Sequence, residues 1–434
     1  MLMKSLNVEK NELTIGGVKV STLTRKYGTP LYIMDEAQIR ENCRAYMAAL
    51  SKYYAGESGI LYASKAFCCK RIYQILAEEE GVGVDIVSGG ELYTSVLADF
   101  PGGGVYFHGN NKSIEEIELG IEHGIHTFVA DTMQELKNIE MVASETNRKI
   151  NVMLRVSPNI SSNTHKHIQT GQLDSKFGFS MEPAEDSPAE AAFLYAKSLK
   201  HLSIIGIHCH IGSQIFETDG FVAARDRLVE FSKMLKDKHK IAIHEFNLGG
   251  GLGIKYTSDD NPPTIDEFVK AITENLAESF TAAGLPLPKL LLEPGRSIVG
   301  NAGITAYTVG TIKGIPNVRK YINVDGGMTD NPRYVMYESK YEALRVHNPN
   351  ATKKETVTIS GKCCESGDIV IKDAVLPEVK TGDIIVVQCT GAYNFSMASN
   401  YNRNPRPAVV MVADGQSRIA VARETYEDMG RYDK

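Results

Sequence analysis

Between Asp35 and Arg296 the apolar residues follow two alternating textures. Short aliphatic or β-branched runs lie at Gly59–Ser64, Val82–Ser88, Gly104–His108, His126–Asp131, Ile150–Ser157, Ser203–Ile211, His244–Leu248 and Lys289–Glu293. Most segments between them carry apolar residues every three or four positions, the period of an amphipathic helix. Examples are Ile72–Glu80, Ile114–His123, Met133–Thr146, Ala189–Leu199, Phe221–Leu235 and Ile265–Ala283, and a longer stretch, Glu36–Tyr54, opens the series. The first five runs are spaced about 22–24 residues apart, one βα unit. Strands alternating with helices predict a parallel sheet. Eight of them predict a closed (β/α)8 TIM-like barrel, with an open doubly wound sheet as the alternative.

After Ser297 the pattern changes. Short strand-like runs dominate at Ile304–Val309, Tyr321–Val324, Glu355–Ile359, Ile384–Gln388, Ala408–Val412 and Arg418–Ala422, separated by turn sequences such as Asp325-Gly326-Gly327 and Asp414-Gly415. The first thirty-odd residues look alike, with a Gly16-Gly17 turn and a Pro30–Met34 strand. The expected organisation is α/β: a barrel over 36–297 inserted into a mostly β domain, sandwich- or barrel-like, built from 1–35 and 298–434.

Composition narrows the function. The chain has 434 residues, 47 basic and 53 acidic, for a net charge of −6. That balance argues against a basic nucleic-acid or anionic-membrane binder. No run approaches the length of a membrane span, and Met1–Lys26 lacks the apolar core of a signal peptide. Seven cysteines without a CxxC spacing suit neither a zinc site nor a disulfide framework. A reducing, cytoplasmic setting is expected.

In a barrel, chemistry gathers at the C-terminal ends of the strands. Those ends carry Lys65, Asp85 with Ser88, His108, Asp131, Arg155, His208 with His210 and Ser213, the Gly249–Gly253 turn, and Glu293-Pro294-Gly295-Arg296. Taken singly, each reads equally well as a solvated loop residue. A lysine closing an apolar strand is expected to be partly desolvated, which makes it a Schiff-base nucleophile; otherwise it snorkels to the rim. Glycines let backbone N–H groups approach a phosphate, and Arg296 and Ser213 could add contacts. A Schiff-base lysine, a phosphate cradle and a carboxylate, Glu293, together point to pyridoxal 5'-phosphate. His208 and His210 read as a core pair or a metal fragment without a third ligand, so no metal is expected.

The motifs that carry this chemistry are Tyr62-Ala-Ser-Lys65, Asp85-Ile-Val-Ser88-Gly-Gly-Glu91, His108-Gly-Asn-Asn-Lys-Ser, Thr164-His165 through Thr170-Gly171, and Ser175-Lys-Phe-Gly178. They continue with His208-Cys-His210-Ile-Gly-Ser213, Asn247-Leu-Gly-Gly-Gly251-Leu-Gly, Glu293-Pro-Gly-Arg296, Asp325-Gly-Gly-Met328, Gly361-Lys-Cys-Cys364-Glu365-Ser-Gly-Asp368 and Gly391-Ala-Tyr393. In kind and order the chain resembles the alanine-racemase-like, fold-type III pyridoxal phosphate decarboxylases over essentially its whole length, and within them the branch acting on diaminopimelate.

The resemblance implies roles. Lys65 carries the cofactor covalently. Ser213, Gly250, Gly251, Gly295, Arg296 and Tyr393 hold it, mostly through its phosphate. Glu293 pairs with the ring nitrogen, His210 stacks on the ring, and Arg155 lies near the phenolic oxygen, with Asp85 and Glu91 in support. Cys364 is the general acid and reaches the site of a partner subunit, so the expected assembly is a homodimer with shared active sites. Arg296, Arg333, Tyr337, Glu365 and Tyr393 match positions that bind the amino-acid substrate, with cations set against a second carboxylate. The implied reaction is decarboxylation of meso-2,6-diaminopimelate to L-lysine. Relatives acting on ornithine, arginine or carboxynorspermidine, and a non-catalytic regulator, are the alternatives. The 158–176 segment, with His165 and His167, is expected to form a lid. Cys68 and Cys69, which follow Phe67 where many members carry other residues, are expected to be buried.

Overall fold

The computed structural model describes residues 1–160, 175–183, 186–352 and 354–434. The expected lid, with His165 and His167, lies outside the described residues except at its two ends. The chain divides into two compact units, one of Asn42–Gly253 with Pro262–Gly295, the other of Met1–Glu41, Ile254–Asn261 and Arg296–Lys434.

The first unit is a closed barrel of eight parallel strands: β1 Ser58–Ala63, β2 Val82–Ile86, β3 Val105–Phe107, β4 Thr127–Ala130, β5 Ile150–Ser157, β6 Leu202–His208, β7 Glu245–Asn247 and β8 Lys289–Leu292. Each pairs with the next, and Leu290–Leu292 of β8 pairs with Ser58–Ile60 of β1, closing the ring. All eight expected runs are strands, because their apolar residues have two buried faces to fill, one inside the ring and one beneath the helices. Leu61, Tyr106, Val129, Met153 and Leu291 form one buried cluster. At the N-terminal strand ends Glu245 accepts a hydrogen bond from the Tyr106 hydroxyl at 3.0 Å and faces His126 Nε2 at 3.0 Å.

The helices start where the sequence offers a hydroxyl followed three residues later by glutamate. Ser88, Ser113, Thr132, Ser187 and Thr264 each accept a hydrogen bond from the backbone N–H three positions on, and Ser113 and Thr264 complete reciprocal capping boxes. One expected helix, Ile265–Ala283, is broken in two at Asn275, which adopts a left-handed backbone (φ 57°) between Ile265–Thr273 and Leu276–Ala282.

The second unit is mostly β. Its large sheet runs in the order Ile369–Pro377, Lys354–Ser360, Arg319–Val324, Gly303–Ile315, Leu31–Asp35, Ala408–Ala413, Gln416–Val421, with Ile384–Val387 and Ala343–Arg345 branching from Gly303–Ile315. The N-terminal segment does join this domain. Leu31–Asp35 pairs antiparallel with Gly303–Ala306 at its N-terminal end and parallel with Ala408–Val412 along its other edge. Gly16 and Gly17, both at positive φ, make the expected hairpin turn between Glu12–Ile15 and Val18–Lys19.

Three features differ from the sequence reading. The units divide at 41/42 and 295/296 instead of 35/36 and 297/298, and Ile254–Asn261 goes with the β unit; Ile254 and Tyr256 are buried in its core. Strands Ala343–Arg345 and Ile369–Pro377 were also not anticipated. The second is an edge strand interrupted by Asp373 at φ 58° with Val375 exposed, so it lacks a clean alternation.

Candidate active site

Within the barrel unit the polar strand ends converge. Lys65 sits in a short helical turn, Ser64–Ala66, directly after β1. That turn is fixed from three sides. The Tyr62 hydroxyl donates to the Phe67 carbonyl at 2.8 Å, the Tyr73 hydroxyl to Ser64 Oγ at 2.8 Å, and the Ala63 N–H to the Pro294 carbonyl at 3.2 Å. The Lys65 side chain itself is exposed. Of the two readings of this lysine, exposure fits the one at the rim and not the partly desolvated one, because the helical turn follows the end of the apolar strand.

Glu293, which follows β8, is the electrostatic centre. Its Oε1 accepts from Asn247 Nδ2 at 2.7 Å and lies 2.9 Å from His108 Nε2; its Oε2 meets His208 Nε2 at 3.0 Å. Burial alone would raise this carboxyl, but the His108 and His208 rings outweigh it and hold Glu293 well below the usual carboxylate range. Burial lowers His208 to about 4. Glu293 is therefore an ionised carboxylate beside a neutral His208 imidazole. His108, His208 and Glu293 place three potential ligand atoms within 4.8 Å of one another. His208 thus has the acidic neighbour that the sequence reading lacked, but His208 Nε2 and Glu293 Oε2 are already bonded to each other as donor and acceptor.

His210 stands apart from that cluster. Its Nδ1 accepts from the Gly250 N–H at 3.2 Å, which puts the proton of the neutral ring on Nε2. Burial, with the charges of Lys65 and Arg155, drives its pKa well below the ordinary histidine value. Arg155 lies 4.0 Å from Asp131 and over the Phe177 ring at 4.4 Å. Asp85 is buried, with Oδ1 lacking a hydrogen-bond partner and its pKa raised by burial.

The glycine turn after β7 is built for close approach. A Cβ at Gly250 would lie 2.0 Å from the Glu293 carbonyl oxygen, and one at Gly251, where φ is +135°, would lie 2.6 Å from the Gly212 carbonyl. The Gly249 and Gly250 amides are engaged by Asn247 and His210, whereas the Gly251 amide has no partner among the described residues. It is the donor this turn offers to an anion, with Ser213 following β6 close by in sequence. An exposed primary amine, an ionised buried carboxylate, a neutral imidazole face and an open backbone amide together fit pyridoxal phosphate.

The β unit gathers a second set. Arg296 Nη1 donates to the Tyr256 hydroxyl at 2.6 Å, and its guanidinium lies over the Tyr393 ring at 4.7 Å. Arg333 lies over Tyr337, Tyr256 and Tyr393 at 5.4, 5.5 and 5.8 Å. Arg333 is only 6% exposed, bonds Ser339 Oγ at 3.2 Å, leaves Nε without a partner, and among the described residues has no carboxylate within ion-pair distance. A buried guanidinium balanced only by aromatic faces and hydroxyls is a strong site for an anion.

Cys364 and Glu365 are exposed on the loop between Lys354–Ser360 and Ile369–Pro377. The Asp368 carboxylate pins that loop by accepting from the Met328 and Cys363 N–H groups at 2.6 and 2.7 Å, and Cys364 N–H donates to Asn402 Oδ1 at 2.7 Å. The neighbouring Cys363 thiol is half-buried and pushed up to about 11 by burial and Asp368. Cys69 is buried as expected and Cys68 half-buried; burial raises them to about 11 and about 12, so neither is a ready nucleophile.

Sequence reasoning did not find the partnership of His108, His208 and Asn247 with Glu293, nor Tyr256. The first three lie in motifs already singled out, but only the closed barrel brings residues 108, 208, 247 and 293 together. Tyr256 had no pattern to mark it.

Residues 36–300 match the family model described as the pyridoxal-binding domain of pyridoxal-dependent decarboxylases. The chain is 47% identical to the diaminopimelate decarboxylase of Bacillus subtilis over 98% of this chain and 96% of that one, and 48% identical to that of Bacillus methanolicus over 96% and 95%. The crystal structure of diaminopimelate decarboxylase from M. jannaschii in complex with L-lysine superposes with a TM-score of 0.93 at 36% identity, covering 100% of this chain and 99% of that one. With the barrel, the carboxylate at its mouth and these likenesses in hand, the chain belongs to the diaminopimelate decarboxylases, a branch of the pyridoxal-dependent decarboxylases.

Proposed function

We propose that this chain is a carboxy-lyase that uses pyridoxal phosphate to convert meso-2,6-diaminopimelate to L-lysine and CO2, the last step of lysine biosynthesis. The observation that carries the substrate is Arg333, a buried cation with no carboxylate within ion-pair distance among the described residues. An ornithine-like substrate would bring a second ammonium toward such a group, whereas diaminopimelate brings a carboxylate. When bound, the cofactor supplies an electron sink for the pair left as the bond to CO2 breaks.

The residues divide the work. Lys65 provides the amine that holds the cofactor and later releases the product. With the cofactor bound, Glu293 would hold a proton at the ring nitrogen, and His210 would offer its neutral ring to the cofactor. Ser213, Gly250, Gly251 and Gly295 of the barrel unit would hold the phosphate, with Arg155 and Asp85 in support, and Arg296 and Tyr393 are the further phosphate contacts that the resemblance implies. Arg296, Arg333, Tyr337 and Tyr393 orient the distal end of the substrate, and Glu365 takes its ammonium. Cys364 holds the proton delivered to carbon. CO2 release measured in parallel with diaminopimelate, ornithine, arginine and carboxynorspermidine is expected with diaminopimelate alone. Turnover of ornithine or arginine in its place would overturn the substrate assignment and spare the cofactor chemistry.

We further propose a homodimer in which Cys364 and Glu365 serve the partner's site. Their exposure at the tip of a pinned loop supports this, since a proton donor needs a dry setting that a second copy can supply. Mixing Lys65→Ala with Cys364→Ala chains is expected to restore up to about a quarter of parental activity, because half the random dimers hold one intact site. No recovery after subunit exchange would sink the shared site. Among the described residues no helix is long and apolar enough to cross a membrane. Seven free cysteines favour a reducing, cytoplasmic setting.

A further inference from the structure

The carboxylate of Glu293 accepts hydrogen bonds from His208 Nε2 on β6 and Asn247 Nδ2 on β7, and His108 Nε2, after β3, lies 2.9 Å from its Oε1 without making one. No lysine or arginine makes an ion pair with it among the described residues. The two imidazoles also touch each other edge to face, with centroids 4.8 Å apart and planes at 74°. Both are buried, and two imidazolium ions that close would repel strongly. Protonating His208 is therefore disfavoured twice, by desolvation and by the neighbouring His108 ring.

We propose that His208 and Asn247 are positioning residues that keep the proton on the ring nitrogen of the bound cofactor, by holding Glu293 as an anion with neutral N–H donors. The proposal rests on the reading of Glu293 as the ring-nitrogen partner. A cationic partner in their place would stabilise the carboxylate equally well, but it would cancel the charge that attracts a protonated ring. Neutral donors stabilise the anion and leave its charge available. Without them, a buried carboxylate would shift toward its neutral form and the proton would be shared back from ring to glutamate. The other titratable groups around this carboxylate are Asp85, Tyr106, Cys209 and His210. Asp85 Oδ1 lies 3.8 Å from His108 Nε2, and Lys65 and Arg155 act on Asp85 through their charge. None of these is changed by the variants below.

The test is a pH titration of the ring-nitrogen NMR signal in holoenzyme reconstituted with ring-15N pyridoxal phosphate. The parent is expected to show a protonated ring nitrogen through neutral pH. Asn247→Leu and His208→Leu are each expected to shift the sharing of that proton from the ring nitrogen toward Glu293 by about 10- to 100-fold, seen as a lowered protonated fraction of the ring nitrogen on the acid side of its titration, the worth of one hydrogen bond to a charged group. His208→Gln, which keeps an N–H donor, should return most of the shift. Two results would overturn the proposal: a ring nitrogen that titrates as in the parent in both leucine variants, or a shift in His208→Gln as large as in His208→Leu, which would make packing the cause. An unprotonated ring in the parent would instead strike at the Glu293 reading itself, and the proposal would fall with it.

Discussion

Replacing Lys65 by alanine will lower CO2 release from diaminopimelate by about a thousandfold or more and will leave no cofactor covalently retained after borohydride reduction. The effect is expected on chemistry and not on folding. The Lys65 side chain is exposed, and its turn is held by Tyr62, Tyr73 and the backbone bridge to Pro294, none of which needs the amine. Lys65→Arg should not rescue, because a guanidinium stays protonated and cannot act as the nucleophile. The decisive measurement pairs single-turnover CO2 release with mass spectrometry of the reduced protein. A Lys65→Ala protein that still carries reduced cofactor on another lysine would refute the assignment.

Arg333→Leu carries the second large effect, and its direction differs between activity and stability. The catalytic efficiency kcat/KM for diaminopimelate should fall by about 10²- to 10³-fold, since the distal carboxylate would lose a charge-assisted partner in a buried setting. Stability should hold or rise, because the substitution removes a desolvated cation whose partners among the described residues are ring faces and hydroxyls. Arg333→Lys should recover only part of the loss, a point charge replacing a planar fork. A thermal melt beside the kinetic assay separates the two effects. A variant that loses stability and activity together would mean that Arg333 is structural and that the substrate carboxylate binds elsewhere.

Much of this arrangement could be read in the chain. The βα rhythm gave the eight strands because a barrel strand is apolar on both faces, and chemistry then had to lie at its polar C-terminal end, where Lys65, Asp85, Arg155, His210 and Glu293 do lie. What escaped depends on closure. His108 and Glu293 are 185 residues apart, and nothing local to either announces that they face each other at 2.9 Å. Tyr256 escaped for a related reason: Ile254–Asn261 goes with the β unit although the chain on either side belongs to the barrel, and eight residues carry no periodicity of their own. The edge strand Ile369–Pro377 was hidden by the Lys-Asp pair at its centre.

The β unit's assembly from three separated stretches of chain also sets an order of events during synthesis. The strand Leu31–Asp35 leaves the ribosome early, yet both of its neighbours, Gly303–Ile315 and Ala408–Ala413, come last. At roughly 5–20 residues per second this strand waits for tens of seconds with both edges unpaired. The barrel can close in that interval, whereas the β unit cannot form until the final residues are released. Nascent chains stalled shortly after Gly295 should therefore protect the barrel from protease while the first thirty-five residues stay cleavable, and a circular permutant that joins Lys434 to Met1 should shorten the wait.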